Sequence, residues 1–281
     1  MQIPTDYSAF FQDRTIMIVG CSRSGTSILG KIIGSLANTY YLYEPAIMKY
    51  GEMAFENIRA ILFEDYFLPI IQGRNLNTNK SEHSYWGNYY YGKDILKRQQ
   101  ILSSREKALE YVKTNKPYLV IKTNESQHQL QYYDIFRKIF NAKRIHIIRN
   151  GIDVVSSSIK KGWYTDKHLE IIVDYLVDGI PHYIEEDEFL KYDQITRCAC
   201  VWRTLTEINN RYDYVIRYES IISDTTKFIL ENNLKMTPLT IKHLKSIRDH
   251  KKTKHENIIN QIQQPERDKF IMLMNKLGYE T

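Results

Sequence analysis

The chain has 281 residues, 43% hydrophobic and 26% charged, the balance of an ordinary soluble globular protein and length enough for one large α/β domain with insertions or two small ones. A formal net charge of +6 is mild; it suits an anionic ligand and lacks the concentrated basic stripe usual in nucleic-acid binding. Three cysteines without metal-ligand spacing argue against a disulfide framework, residues 1–14 lack the layout of a signal peptide, and no apolar run approaches the roughly 20 residues that span a bilayer, so the expectation is a soluble, cytoplasmic protein.

In chain order, TIMIVG (15–20) reads as a buried strand, short and continuously apolar before a turn. Residues 26–37 read as a helix, with Ile28, Leu29, Ile32, Ile33 and Leu36 repeating on one face. TYYLYEP (39–45) is a second strand closed by proline, and residues 46–102 read as short helices around a long polar and aromatic loop. A helix over about 104–114 leads into the strand PYLVIKT (117–123), and a helix over 127–140 leads into the strand RIHIIR (144–149). A helix from about Ile152 to Lys161 comes next, then an irregular acidic insertion at 163–192. A helix over about 193–210, the strand DYVIRY (213–218) and a mostly helical tail complete the series. Strands alternating with helices, without regular in/out alternation, predict a mainly parallel sheet covered on both faces, with ligands at the carboxyl ends of its strands. No internal repeat or low-complexity linker divides the chain, so a single domain over 1–281 is expected, with insertions at about 46–115 and 163–192 shaping an acceptor site.

Two loops at strand ends carry the chemistry. In GCSRSGTS (Gly20 to Ser27), consecutive backbone N–H groups at a helix N-terminus form an anion cradle reinforced by the helix dipole. Gly25 allows close backbone approach, Ser22, Ser24, Thr26 and Ser27 add hydroxyls, and Arg23 supplies a permanent planar charge. In IIRNGIDVVSSSI (147–159), a strand again ends in an arginine, Arg149, and Ser157 lies eight positions on, within the following helix. Read alone, each loop also fits a capped strand–turn–helix junction with no ligand. Together, two anion sites at two strand ends suggest a nucleotide with phosphates on separate atoms.

These two motifs, in order and with their spacing intact, resemble the sulfotransferases that use 3'-phosphoadenosine 5'-phosphosulfate (PAPS). Arg23-Ser24-Gly25-Thr26-Ser27 resembles their 5'-phosphosulfate loop, and the run from Arg149 to Ser157, with Asn150, Asp153 and Val154, resembles their 3'-phosphate motif. VIRYESII (215–222) is similar to their "RYE" segment and MLMNKLGY (272–279) to the tail of the carbohydrate (Golgi-type and bacterial) branch. The resemblance implies a P-loop-type three-layer α/β/α fold. It also accounts for Thr26, which stands where an ATP-binding loop carries its lysine. A phosphosulfate has no γ-phosphate, so an arginine within the loop can cover it without metal.

The resemblance further implies a general base, since the acceptor hydroxyl must lose its proton as it attacks sulfur. The cytosolic branch places a histidine after a Lys-Thr pair at a strand end; here Asn124 follows Lys122 and Thr123. The carbohydrate and protein-tyrosine branches use a glutamate after the second strand, and YLYEP puts Glu44 there, with His128 in reserve. Lys122, at the end of its strand, is expected to neutralise charge on the sulfuryl oxygens beside Arg23; a snorkelling surface lysine is the plainer alternative. The expected reaction is therefore sulfuryl transfer from PAPS to a glycan or glycolipid hydroxyl, with a tyrosine or small-molecule hydroxyl next. An ATP-dependent kinase and a non-catalytic nucleotide-binding module are the alternatives from other classes. Three features stay outside this scheme. SEHSYWGNYYY (81–91) offers aromatic faces that suit sugar stacking or self-packing, the basic run at 242–254 suits either an anion or solvent, and Cys198 and Cys200 read as core packing.

Overall fold

A computed structural model describes residues 11–43, 64, 68, 89–91, 104–122, 128–169, 185–208, 212–247 and 257–280. Its strands are β1 (Thr15–Val19), β2 (Thr39–Tyr43), β3 (Tyr89–Tyr91), β4 (Tyr118–Lys122), β5 (Lys143–Ile148) and β6 (Tyr214–Arg217). They form one sheet in the order β3-β2-β4-β1-β5-β6. Every pairing is parallel except β2 with β3, so the fold is α/β with a mainly parallel sheet flanked by helices. All five residues of β1 are buried. Successive side chains leave a strand on opposite faces, so this burial means that both faces are covered. That is why β1 carries an unbroken apolar run after Thr15.

The helices are α1 (Thr26–Gly34), α2 (Arg105–Asn115), α3 (His128–Phe140), α4 (Gly151–Lys160), α5 (Glu186–Lys191), α6 (Gln194–Ile208), α7 (Ile221–Glu231), α8 (Pro238–Ser246), α9 (Ile258–Gln261) and α10 (Glu266–Lys276). On one face, Ile16, Ile18, Val120, Ile145 and Ile147 of the sheet pack with Leu29, Ile32 and Ile33 of α1 and Phe228 of α7. Helix α1 comes close to β2 because Gly30 and Gly34 lie over Tyr41; a Cβ at either would meet that side chain at 2.2 and 2.6 Å. A second core gathers Val154 and Val155 of α4, Trp202 of α6 and Phe270 and Met274 of α10 around Cys21. Cys198 and Cys200 lie within it, as expected of packing residues, and burial pushes both thiols up to about 12. Arg203 of α6 and Glu266 of α10 form a buried two-pronged ion pair at 2.6 and 3.0 Å, which binds these helices together.

Three boundaries differ from expectation for local reasons. Helix α1 ends at Gly34 rather than at 37, because the Ser35 hydroxyl donates back to the Ile32 carbonyl at 2.7 Å. The hydroxyls of Thr237 and Thr240, in the capping box of α8, then take the Ser35 carbonyl, each at 2.7 Å. The acidic stretch at 163–192 ends in helix α5, and a 3₁₀ turn (Asp166–His168) stands near its start. Within the aromatic segment 81–91, Tyr89–Tyr91 is strand β3, pairing with Thr39–Tyr41 at the sheet edge.

Candidate functional site

Both expected loops leave the carboxyl ends of neighbouring strands, β1 and β5. After β1 the chain turns sharply, with the Ser24 N–H donating to the Cys21 carbonyl at 3.0 Å and Arg23 in the left-handed region at φ 69°. Gly25 is the N-cap of α1 at φ 100°, a conformation that side-chain-bearing residues rarely adopt. A Cβ there would also lie 2.5 Å from the Tyr218 ring. Among the described residues, no side chain caps α1. The capped-junction reading, in which the loop serines close the helix, is therefore not met here. The first-turn N–H groups of α1, which have no intrahelical acceptor, stand at the mouth of the loop. Ser24 and Thr26 are buried, Ser22 and Ser27 half-buried, and the Ser27 hydroxyl lies 3.5 Å from that of Tyr43.

The loop after β5 is built differently. Its helix is capped: the Asn150 side chain accepts the Ile152 N–H at 2.9 Å. Charge comes from Arg149, whose Nη1 donates to the Arg23 carbonyl at 3.0 Å and whose guanidinium lies 4.3 Å above the Tyr218 ring. Asp153, one turn on, stands 3.8 Å from its Nη2. The Arg149 bond to the Arg23 carbonyl joins the two loops, and Arg23 Nε donates in turn to Ser157 Oγ of α4 at 3.0 Å. Arg23 also lies 5.5 Å from the centre of the Trp163 ring, just beyond α4.

Lys122 ends β4 in register with Ile18 of β1 and Tyr43 of β2. It is 5% exposed, with its ammonium 4.9 Å over the Tyr43 ring, so it is not the snorkelling surface lysine of the plainer reading. Arg23, Ser24, Gly25, Thr26, Ser27, Arg149 and Ser157 thus come together, and Lys122 lies at the end of the strand next to β1. Glu44, Thr123 and Asn124 lie outside the described residues, as do Trp86 and most of the basic run at 242–254; His128 opens α3. Sequence reasoning did not single out Tyr218 and Trp163. Tyr218 belongs to the VIRYESII segment, but only the fold brings its ring between Gly25 and Arg149. A cavity of about 1000 Å³ lies elsewhere, along β6, with Arg217, Asp224 and Lys276 in its wall.

No family model matches the chain, and no curated protein sequence matches it. Among solved structures, the sulfotransferase domain from the curacin biosynthetic pathway superposes with a TM-score of 0.51 at 13% identity, over 94% of this chain and 97% of that one. The chain has a sulfotransferase fold. Two further structures are similar at lower scores. The sulfotransferase domain of the Synechococcus PCC 7002 olefin synthase gives 0.48 at 14% identity, over 95% of each chain. Sulfotransferase STF9 from Mycobacterium avium gives 0.48 at 11%, over 99% of this chain and 80% of that one. In the sulfotransferase fold of this chain, no helix of the described residues is long and apolar enough to cross a membrane.

Proposed function

We propose that the protein transfers a sulfuryl group from PAPS to a hydroxyl of a glycan or glycolipid. The observation that carries this reading is the bond from Arg23 to Ser157, which joins the loop after β1 to the helix that follows β5. A single nucleotide bearing a 5'-phosphosulfate and a 3'-phosphate matches that arrangement. The uncapped start of α1 with Arg23 receives the first group, and Arg149 with Ser157 receives the second. The glycan acceptor follows from the likeness of the Glu44 segment and the tail to the carbohydrate branch.

In the proposed reaction the acceptor oxygen attacks sulfur in line, and the bond from sulfur to the bridging phosphate oxygen breaks. Glu44 takes the acceptor proton, while Arg23 and Lys122 offset the charge on the sulfuryl oxygens. Nothing in this scheme requires a metal. The reaction product 3',5'-diphosphoadenosine should raise the melting temperature without magnesium, by about 2.7 kcal/mol of linkage at a hundredfold excess over its Kd. Adenosine diphosphate should do much less. Equal stabilisation by both would overturn the reading. Turnover of sulfur-labelled PAPS with glycans, glycolipids and phenols then identifies the acceptor class. With a true acceptor, Glu44→Gln should lower kcat by about 10²–10⁴, and a loss of only a few-fold would remove Glu44 as the base.

A further inference from the structure

The peptide groups at the end of β5 are held from three distant parts of the chain. The Arg149 carbonyl accepts the indole N–H of Trp202 at 3.2 Å, and the Gly151 N–H points to Met274 Sδ at 3.2 Å. Between them, the Asn150 N–H donates to Glu219 Oε1 at 2.8 Å. Glu219 directly follows Tyr218, so one 3₁₀ turn (Tyr218–Ser220) supplies both the ring beneath Arg149 and the carboxylate beneath Asn150. That turn is itself fastened at two points. Asp224 accepts the Arg217 N–H at 3.0 Å and the Ser220 hydroxyl at 2.6 Å. The Tyr279 hydroxyl donates to Glu219 Oε2 at 3.1 Å, and the Tyr279 ring lies 5.2 Å from the Arg217 guanidinium. Arg217 in turn donates to the Leu277 carbonyl at 2.7 Å, anchoring the segment that carries Tyr279. Burial, with the Glu219 carboxylate beside it, holds the Tyr279 phenol above its ordinary pKa, so it stays a donor.

We propose that Glu219 and Tyr279 form a latch that positions Arg149 for the 3'-phosphate: residues 277–279 fix the 3₁₀ turn, and the turn fixes the end of β5. This rests on the reading that Arg149 and Ser157 receive that phosphate. Glu219 touches no reacting atom; it acts through the Asn150 peptide and, with its neighbour Tyr218, on the direction of the Arg149 side chain. A latch of this kind acts chiefly on the 3'-phosphate end of the nucleotide and reaches the other end only through the Tyr218 ring against Gly25. A merely structural carboxylate would weaken all ligands together or none.

The test is calorimetric titration of the full chain with 3',5'-diphosphoadenosine and with adenosine diphosphate. Glu219→Ala should weaken the first roughly tenfold and the second much less. Glu219→Gln can still accept the Asn150 N–H and still meet the Tyr279 oxygen, so it should stay close to the parent. Tyr279→Phe keeps the ring on Arg217 but loses the hydroxyl, and should fall between them; it reads the latch even if Glu219→Ala fails to fold. Parent-like selectivity in both Glu219→Ala and Tyr279→Phe would overturn the latch, as would equal losses in Glu219→Ala and Glu219→Gln. A parent protein without preference for the 3'-phosphate would instead overturn the function on which the latch rests.

Discussion

The loops after β1 and β5 occupy the same position in the fold, at the carboxyl end of a strand and the start of a helix, yet they hold charge by different means. The first is local: a left-handed arginine, a left-handed glycine and a helix with no side-chain cap among the described residues leave the first-turn N–H groups without a side-chain acceptor. The second is closed by the Asn150 cap and depends on one guanidinium; Trp202 holds the Arg149 carbonyl and Met274 the Gly151 N–H, across 53 and 123 positions of sequence. A backbone cradle can be written in a few consecutive residues. A side-chain clamp needs the whole tertiary structure behind it.

This contrast predicts that the second loop fails through damage at a distance and the first mainly through damage within it. The largest effect is expected at Glu266, 1% exposed, whose removal leaves the buried Arg203 charge with only the half-exposed Glu207 beside it. Glu266→Ala should cost about 3–5 kcal/mol in chemical denaturation. At temperatures where the variant is still folded, it should lose preference for the 3'-phosphate before it loses binding of adenosine diphosphate. Loss of both nucleotides in parallel would erase the distinction between the loops. Gly25→Ala comes next. Its φ of 100° and the 2.5 Å approach to Tyr218 should together cost about 2–3 kcal/mol, and binding of both nucleotides should collapse because the cradle is distorted. Normal binding of adenosine diphosphate by the Gly25→Ala variant would show that the backbone does not do the holding.

The smallest effect sharpens the comparison through pH. Cys198 and Cys200 lie in the core behind the second loop, with thiols raised from 9.0 to about 12 mainly by burial. Between these values the folded protein keeps protons that the unfolded chain releases. The stability they contribute is complete below about pH 9 and is lost as pH rises towards 12. Melting temperature should fall over that window, and Cys200→Ala should make the fall shallower. An unchanged slope would remove Cys200 as a source of the alkaline loss.

The layout of strands and helices was legible because covered parallel strands are continuously apolar and end at glycine, proline or polar turns. TIMIVG and RIHIIR needed no partner to be recognised. Strand β3 was not legible: Tyr89–Tyr91 has no apolar run of its own, and it is a strand because β2 offers it an edge. The end of α1 was misread by three residues for a partly similar reason: besides the Ser35 hydroxyl, the hydroxyls of Thr237 and Thr240 at the start of α8 take the Ser35 carbonyl. At the site, Arg23, Gly25, Arg149 and Ser157 could be proposed from spacing, but the contact between Arg23 and Ser157 spans 134 positions and belongs to the fold. Tyr218 shows the limit most clearly. Its ring serves two loops at once, and neither loop's sequence mentions it.

The place of β1 in the sheet has a consequence in time. It does not touch β2, the next strand in the chain, but lies between β4 and β5, with Thr15 beside Leu119 and Ile16 beside Lys143. The anion loop that follows β1 therefore cannot be seated until strands roughly a hundred residues further along have arrived. Closing such long loops costs chain entropy before the contacts return it, which slows folding relative to a helical protein of this size. During refolding, helical signal should recover first, from local segments such as α6 and α10. Nucleotide binding should recover last, on the phase in which the centre of the sheet closes.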